Sequence, residues 1–578
     1  MEQNRKRQTV LLTAVVITGI ILVIVIGRFI DRYTPGKERM DLSEYFGLTE
    51  EDQLAIVQNQ KILDAKAQLR DGEVYIDYET LHDAFNARFY WDANENILLY
   101  TTPDHLVSVP AAGSEYYIDK EKKTESYTIV YADTNTAYIA MDFVKEYTDL
   151  DYQTYDDPGR IVVVTDWSDQ PVIDVKKTTQ LRQKGGIKSL ILADVEKSQQ
   201  LFLLEEGDKW DKVATDSGIV GYVRSKCLGK KATHSYDHTP VTEEFSHILK
   251  DNKINMAWHQ VTTTDANSTV ASVLSNTKGL NVIVPTWFYL NDNDGNLENL
   301  ASADYVNYCH SQGVEVWALV SNLENKDVDS TDVLTHTSKR TNVVNQLIAA
   351  AIQYNFDGIN VDFEALSSDV GDGYIQFIRE LSLKCANNGI VLSVDNYVPS
   401  DYTAFYNRKE QANFADYVVM MGYDEHYAGS DEGSVASIGF VKDGISATLE
   451  EVPAQQLILA APFYTRVWIE TPKASGEDVA AAADDALPYD LTSQAVGMQE
   501  AWKMVSANGV EPQWLDDEGQ YYAEYQQEGI TYKIWLEDEK SLELKLQAAS
   551  ENGLAGMAFW KLGFEDATLW DMILKYMN

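Results

Sequence analysis

The stretch FDGINVDFEAL, residues 356–366, decides how the second half of this chain is interpreted. It has the length and apolar content of a buried β-strand, yet it also carries Asn360, Asp362 and Glu364. Successive side chains in a strand point to opposite faces, so these three polar residues share one face and the apolar residues between them share the other. Two carboxyl groups on one face of a buried strand are costly, which indicates a functional reason for them.

The sequence around this stretch alternates between strand-like and helix-like patterns. Helical runs such as TNVVNQLIAAAIQYN (341–355) separate apolar segments typical of parallel strands. Eight such strands are predicted, and they begin at residues 254, 280, 314, 357, 390, 416, 456 and 554. The pattern predicts an α/β fold, a C-terminal (β/α)8 TIM barrel over residues 245–578, with one insertion at about 469–550 between strands seven and eight.

In such a barrel the polar face of the fourth strand points into the interior and rises toward the carboxyl-end rim, where barrel enzymes hold their active sites. Two carboxyl groups as close as Asp362 and Glu364 should have pKa values that are pushed apart, and a carboxyl kept protonated near neutral pH can act as a general acid. Asp357, at the start of the strand, is open to two interpretations, a turn contact or a functional contact. For the pair at the rim we favour the functional interpretation.

Four motifs in barrel order resemble one known family. Residues 357–364 read D-G-x-N-x-D-x-E and resemble the D-G-x-D-x-D-x-E signature of glycoside hydrolase family 18, the chitinase family. MGYDEH (421–426) is similar to the M-x-Y-D segment of its sixth strand, and PFYTRVW (462–468) to its seventh-strand motif. Trp560, in GMAFWKLG, resembles the eighth-strand tryptophan that forms the floor of the reactive sugar subsite.

The resemblance implies retaining, substrate-assisted hydrolysis of β-1,4-linked N-acetylglucosamine glycans, without a metal or cofactor. Glu364 is expected to protonate the glycosidic oxygen, Asp362 to hold the acetamido N–H, and Tyr423 to orient the acetamido oxygen. Arg466 could equally form a structural ion pair. The residues expected to bind substrate are Asp357, Asn360, Trp287, Asp424, Tyr464, Arg466 and Trp560.

The sequence departs from the family pattern at two positions. Thr465 replaces the usual glycine of the seventh-strand motif, and Asn360 replaces the commoner aspartate of the fourth. A neutral amide cannot share a proton with Asp362, so we expect Asp362 to stay ionised more easily. IWLEDEKSLELKL (534–546) is similar to the spore-cortex and cell-wall lytic branch, which favours peptidoglycan over chitin. The alternatives are a non-catalytic glycan-binding protein or an envelope scaffold on the same fold, and the retained Glu364 favours an enzyme.

The N-terminus predicts a membrane anchor. NRKR (4–7) precedes an uncharged, mostly apolar stretch at 8–27, long enough to cross a bilayer as a helix. The basic cluster places the N-terminus inside, so residues 1–33 are interpreted as a cytoplasmic tip and single-pass anchor, and 34–50 as a stalk that leads to an extracytoplasmic remainder. A cleaved signal peptide is the alternative, but its apolar region would usually be shorter and be followed by a small-x-small site, whereas RFIDRY (28–33) follows here.

Two small modules are predicted between the stalk and the barrel. Residues 51–168 contain a weak internal repeat, because 74–102 and 137–166 share a strand, a short helix and two strands in the same order. This α+β module resembles the N-terminal domain of copper amine oxidases. Residues 171–232 read as short strands with turns, and WDKV (210–213) followed by a glycine-rich strand resembles a bacterial SH3-like β-barrel.

The overall composition excludes some classes of partner. Asp and Glu number 90 against 47 Lys and Arg, for a formal net charge of −43, which disfavours nucleic acid as a partner. Cys227, Cys309 and Cys385 have no CxxC spacing, so neither a disulfide framework nor a zinc site is expected. The expected partners are an N-acetylated polysaccharide and, through the N-terminal helix, a membrane.

Overall fold

The computed structural model describes residues 1–133, 136–473 and 488–577 of the chain. Residues 474–487 of the predicted insertion lie outside the described residues. The chain forms two compact units. The first consists of Met1–Phe89, Val109–Tyr116 and Lys123–Thr242, and the second of Tyr90–Ser108, Tyr117–Lys122 and Glu243–Asn578.

The first unit begins with a single helix of 32 residues, Glu2–Tyr33, that has no buried residue. The helix is long and apolar enough to cross a membrane. A signal sequence near an N-terminus meets the same criteria, so the helix by itself does not separate an anchor from a signal.

The predicted internal repeat is present as two successive strand–helix–hairpin segments. Strand Glu73–Asp77 leads into a short helical stretch, and strand Ala137–Ala140 leads into helix Met141–Glu146. The two leading strands pair antiparallel, with Ile76 opposite Ile139. The seven strands of this sheet are, in spatial order, Asp151–Tyr155, Arg160–Val164, Gln53–Gln58, Lys61–Arg70, Glu73–Asp77, Ala137–Ala140 and Val130–Ala132.

A second sheet of the first unit covers the region predicted to be SH3-like. Its neighbouring strands pair antiparallel, and its apolar core includes Ile173, Leu181 and Val213. The similarity to an SH3 domain stays a prediction. The strands, in spatial order, are Ile191–Val195, Thr179–Arg182, Val220–Arg224, Trp210–Ala214, Gln200–Glu205, Gln170–Val175 and Leu228–His234.

The second unit is built around eight parallel strands that close into a barrel. Each strand pairs with the next, and the last pairs with the first, so the predicted (β/α)8 barrel and all eight of its strands are confirmed. The strands are β1 (Ile254–His259), β2 (Val282–Pro285), β3 (Glu315–Ser321), β4 (Gly358–Asp362), β5 (Val391–Tyr397), β6 (Tyr417–Met421), β7 (Leu457–Pro462) and β8 (Gly556–Trp560).

Alternation along β4 separates two apolar cores. Ile359 and Val361 are fully buried against the surrounding helices, while a smaller cluster that includes Trp258 and Trp317 fills the barrel interior. Gly358 is required there, because a Cβ at this position would lie 2.6 Å from the indole of Trp317. The longer helices of the second unit are Ala303–Ser311, Thr337–Tyr354, Gly371–Asn388, Arg408–Phe414, Ile438–Thr448, Met498–Ala507 and Glu539–Glu551.

The predicted insertion between strands seven and eight is an antiparallel sheet with one helix, Met498–Ala507, that packs on it. It begins slightly earlier than predicted, because Tyr464 already belongs to its first strand. The five strands, in spatial order, are Tyr489–Gly497, Tyr464–Pro472, Ile530–Leu536, Gln520–Gln527 and Gln513–Leu515.

One hairpin of the two-repeat region packs on the helices of the barrel unit. Arg340, which is fully buried, forms an ion pair with Glu380 at 3.1 Å and donates a hydrogen bond to the Tyr90 hydroxyl at 3.3 Å. The Gln376 amide likewise donates to the Thr101 hydroxyl at 3.1 Å. Removal of the hairpin would take one hydrogen-bond partner from each of these two buried side chains, so residues that lie far upstream in the chain help to complete the barrel unit.

Candidate active site

A cavity of about 200 Å³ lies at the carboxyl ends of the barrel strands. Its position is the one at which barrel enzymes bind substrate. Six of the ten predicted site residues line it, and Tyr397 and Met421 complete the wall. The lining residues are Asp362, Glu364, Tyr397, Met421, Tyr423, Asp424, Tyr464 and Trp560.

Glu364 follows the end of β4, and two neighbouring strands fix its position. Its backbone N–H donates to the Asn322 side chain at 2.8 Å, and the Asn322 amide donates back to its carbonyl at 2.9 Å. The Tyr397 hydroxyl hydrogen-bonds to the Glu364 carboxyl and accepts the backbone N–H of Ala365 at 3.1 Å. Burial raises the pKa of Glu364 above its ordinary value, and the Tyr397 hydrogen bond partly offsets that rise. The raised pKa suits a general acid.

Asp362 lies deeper, and its Oδ1 atom is buried without a hydrogen-bond partner among the residues the structure describes. Burial raises the pKa of this carboxyl well above its ordinary value, and the charges of Asp395, Glu364 and Glu324 raise it further. Asp362 is therefore not easily ionised, because burial and a carboxyl on the neighbouring strand, Asp395, both oppose its charge. The effect expected of asparagine rather than aspartate at position 360 stays a prediction.

Asn360 is fully buried in the barrel interior and does not line the cavity, so a contact with substrate is not supported. Its side-chain amide instead lies in a polar network beneath the cavity. It accepts the indole N–H of Trp258 at 3.1 Å and donates to Ser393 at 3.0 Å and to Asp395 at 2.7 Å.

Tyr423, Tyr464 and Asp424 form the opposite wall of the cavity. The rings of Tyr423 and Tyr464 pack edge to face with centroids 6.1 Å apart, and the Tyr464 hydroxyl donates to the Asp424 carboxylate at 2.6 Å. Arg466 lies 4.0 Å from the same carboxylate and donates to Ser493 at 3.2 Å, outside the lining of the cavity. Of the two interpretations left open for Arg466, its position favours the ion pair.

Trp560, at the end of β8, is half-buried and lines the cavity. Trp258 packs behind it in the barrel interior, with ring centroids 5.8 Å apart. An indole held in this way offers one flat apolar face to the cavity, which suits stacking against a sugar ring.

Two predicted substrate contacts lie elsewhere in the structure. Asp357 is at the amino end of β4, where it accepts hydrogen bonds from His310 and from the backbone N–H of Val316, both at 2.8 Å. Trp287 is fully buried in the outer core, and its indole N–H donates to Asn267 at 2.8 Å. Both assignments are corrected, because the cavity is at the opposite end of the strand from Asp357, and Trp287 turns outward beyond the end of β2.

Three residues that shape the site were not predicted in these roles. Asn322 holds the backbone of Glu364, Tyr397 hydrogen-bonds its carboxyl, and Asp395 lies beneath the cavity. The segment LSVDNY (392–397) carried a signal, since Ser393, Asp395 and Tyr397 share one face of the strand, as the polar residues of β4 do. Among the described residues no group of three or more His, Cys, Asp or Glu could hold a metal ion.

A closed parallel barrel with a buried acid, a second carboxyl and sugar-sized aromatic faces at its carboxyl-end rim defines the class of barrel glycoside hydrolases. Comparison with known protein families identifies which family of glycoside hydrolases this is. The profile "Glycosyl hydrolases family 18" matches residues 256–565, more than half of the chain, so the chain belongs to that family and is a glycoside hydrolase. A second profile, "Copper amine oxidase N-terminal domain", matches residues 56–163.

Individual relatives agree with this family. The chain is 23% identical over 331 residues to a glycosylase of uncharacterised function, YvbX of Bacillus subtilis, covering 54% of this chain and 91% of that protein. It is 25% identical over 282 residues to the cortical fragment-lytic enzyme of the same organism, covering 46% of this chain and 61% of that enzyme. The crystal structure of the Bacillus cereus spore cortex-lytic enzyme SleL has a similar fold, with a TM-score of 0.50, 18% identity and coverage of 68% and 79%.

Proposed function

We propose that this protein hydrolyses β-1,4-linked N-acetylglucosamine glycans of the bacterial cell wall by retaining, substrate-assisted catalysis. The observation that carries the proposal is the meeting of Glu364, Asp362 and Tyr423 in one small cavity. Glu364 has the raised pKa of a proton donor, and Asp362 has a buried oxygen that lacks a partner. An acetamido N–H is the kind of donor that would satisfy that oxygen.

The proposed reaction begins when Glu364 gives its proton to the glycosidic oxygen as the bond to the anomeric carbon breaks. The acetamido carbonyl oxygen of the same sugar attacks that carbon and forms a cyclic oxazolinium ion. The Tyr423 hydroxyl holds this oxygen in line, and Asp362, then ionised, accepts the acetamido N–H and offsets the positive charge. Glu364 next removes a proton from water, which opens the ring with overall retention.

The choice of wall peptidoglycan over chitin rests on the relatives. One is named a cortical fragment-lytic enzyme, and a solved neighbour is named a spore cortex-lytic enzyme. The apolar helix Glu2–Tyr33 supports a location outside the cytoplasm, because an anchor and a signal sequence both direct the following chain across the membrane. We propose that it stays attached as a single-pass anchor, which places the barrel at the cell surface.

The test of the catalytic proposal is Glu364→Gln in the full-length protein in detergent, assayed on peptidoglycan and on chito-oligosaccharides. The amide keeps the size of the side chain but cannot donate an acidic proton, so we expect kcat to fall by about 10³-fold or more. Glu551→Gln is the matched control, since Glu551 is exposed at the end of helix Glu539–Glu551 and does not line the cavity. Equal release of reducing ends by the wild-type protein and Glu364→Gln would refute the assignment.

The full chain is preferred over residues 245–578 in this assay, because the shorter piece lacks Tyr90 and Thr101. Mass spectrometry of the intact protein from the membrane fraction tests the anchor. We expect the mass of a chain that retains residues 1–33, whereas the mass of a chain that lacks them would indicate a cleaved signal.

A further inference from the structure

Asp395 is a buried carboxyl to which the proposed reaction gives no role. It is 2% exposed and lies on β5, beside the strand that carries the proposed acid. Its Oδ1 atom accepts a hydrogen bond of 2.7 Å from the Asn360 side chain. A buried carboxyl with such a contact, next to another buried carboxyl, raises the question of where the negative charge and the proton reside.

The orientation of the Asn360 amide can be settled from its neighbours. The indole N–H of Trp258 is only a donor, and it lies 3.1 Å from one end of the amide, so that end must be the oxygen. The other end is therefore the NH₂ group, which faces Ser393 at 3.0 Å and Asp395 at 2.7 Å. Asp395 is then the acceptor. Burial raises the pKa of its carboxyl well above the ordinary value, and the hydrogen bond from Asn360 partly offsets that rise, an offset that Asp362 lacks.

Asp362 is the neighbour of Asp395 across the barrel sheet. β4 and β5 are parallel, with Asn360 opposite Ser393 and Val361 opposite Val394. One further step in this register brings Asp362 beside Asp395, with both side chains on the interior face. The two carboxyls thus differ, because Asp395 receives a hydrogen bond whereas Asp362 has a buried oxygen without a partner among the described residues.

We propose that Asp395 is a positioning residue that shares one proton with Asp362, and that it supplies from β5 the carboxyl that the family signature carries at position 360. In the free protein the charge resides on Asp395 and the proton on Asp362. When the acetamido N–H approaches Asp362, the O–H bond of Asp362 breaks and an O–H bond forms on Asp395, so the charge moves to Asp362 without a change in net charge. This inference rests on the proposed function for the identity of the ligand, but not for the shared proton.

Other ionisable groups lie near Asp362 and Asp395 and affect the charge that these two carboxyls can carry. The carboxyls of Glu364 and Glu324 interact with Asp362, and Tyr374, Tyr406 and Tyr423 lie within electrostatic range of one or both members. All three tyrosines have raised pKa values through burial and stay neutral near neutral pH. The neighbouring glutamates oppose a second negative charge on the pair, which favours one proton between the two aspartates.

The experiment is isotope-edited infrared spectroscopy, as a function of pH, of the full-length protein labelled with ¹³C-carboxyl aspartate. A protonated aspartate gives a carboxylic-acid C=O band that an ionised aspartate lacks. We expect the band of about one aspartic acid per chain to disappear at lower pH in Asp362→Asn and in Asp395→Asn than in the wild-type protein. Removal of either carboxyl lowers the pKa of the other, although burial still raises it. Asp424→Asn, on the cavity rim, is the matched control and should keep the band.

The decisive variant is the exchange Asn360→Asp/Asp395→Asn, which moves the carboxyl back to β4 and preserves the hydrogen bond in reverse. The exchange should restore the wild-type pH at which the band disappears. A purely structural role for Asp395 predicts instead that the band disappears at the wild-type pH in both Asp395→Asn and the exchange, and that result would overturn the inference. If Asp395→Asn does not fold, Asp362→Asn and the exchange still decide the question.

The outcome is separable from that of the catalytic proposal. If the band responds to Asp395→Asn and recovers in the exchange while Glu364→Gln stays active, the shared proton is supported and the proposed function is refuted. If Glu364→Gln is inactive and the band does not respond to Asp395→Asn, the proposed function is supported and the shared proton is refuted.

Discussion

The two ends of strand β4 carry aspartates in opposite environments. At the amino end, Asp357 accepts two hydrogen bonds of 2.8 Å, from His310 and from the backbone of Val316. At the carboxyl end, Asp362 has a buried oxygen with no partner in the part of the chain that the structure describes. A satisfied carboxyl stabilises the fold, whereas an unsatisfied one costs stability and is available to a ligand. The comparison therefore separates structural from functional residues within one strand.

The largest effect that this comparison predicts is on catalysis in Asp362→Ala. Without the carboxylate, the positive charge of the proposed oxazolinium ion is no longer offset, and kcat should fall by about 10³-fold, or about 4 kcal/mol of transition-state stabilisation. Steady-state kinetics on an N-acetylated oligosaccharide measure this loss. Wild-type kcat in Asp362→Ala would contradict the proposed role.

The stability of Asp362→Ala relative to the wild-type protein should depend on pH. Burial raises the pKa of Asp362 in the folded protein above its value in the unfolded chain. The stability that the protonated carboxyl contributes is therefore present below the unfolded-state pKa, and it is lost as pH rises from the unfolded-state pKa to the folded-state pKa. Above that interval the wild-type protein carries the cost of a buried charge that the alanine variant lacks. Thermal unfolding at acidic and neutral pH should therefore show the variant gaining stability relative to wild type as pH rises.

Asp357→Ala should give the opposite result at the other end of the strand. It leaves the backbone N–H of Val316 without its acceptor, so we expect the free energy of unfolding to fall by about 1–2 kcal/mol. Denaturant titration measures this loss, and kcat should stay within about twofold of wild type because the residue is remote from the cavity. A large drop in kcat without a loss of stability would break the distinction between the two ends.

A smaller effect is expected at Tyr423, on the wall opposite Asp362. Tyr423→Phe keeps the ring that packs against Tyr464 at 6.1 Å but removes the hydroxyl that is proposed to orient the acetamido oxygen. Loss of one such hydrogen bond should lower kcat by about tenfold, or about 1.4 kcal/mol. Tyr464→Phe is a useful comparison, because its hydroxyl is already engaged by Asp424. Equal kcat in Tyr423→Phe and wild type would remove Tyr423 from the mechanism.

Sequence patterns predicted the parts of the site that lie on one strand or in one motif. The period of two in β4 placed Asp362 and Glu364 on the interior face, and the motifs around Tyr423 and Trp560 placed those residues at the rim, in the lining of the cavity. The helix–strand alternation likewise predicted all eight barrel strands. These features depend on local periodicity, which a sequence carries directly.

Contacts between strands could not be obtained in that way. Asp395 was overlooked because its effect on Asp362 depends on the register of β5 against β4, which no local pattern specifies. Trp287 was misassigned because it lies beyond the end of β2, where alternation no longer fixes the direction of a side chain. The role of Asp357 was left open, because the sequence does not show whether a histidine and a backbone N–H donate hydrogen bonds to a carboxyl at the end of a strand.

The smallest predicted effect concerns Tyr397, a partner that the sequence did not reveal. Its hydroxyl bonds to Glu364 and partly offsets the rise in the pKa of that carboxyl which burial causes. Tyr397→Phe removes the offset, so the pKa of Glu364 should rise, and the alkaline limb of the kcat profile, where the acid loses its proton, should move to higher pH. Tyr406→Phe is the control, because Tyr406 donates to the Phe363 carbonyl at 3.2 Å and not to the Glu364 carboxyl. A shift to lower pH in Tyr397→Phe would mean that the tyrosine stabilises the protonated acid and not the carboxylate, and Tyr397 would then add to the rise in the pKa of Glu364.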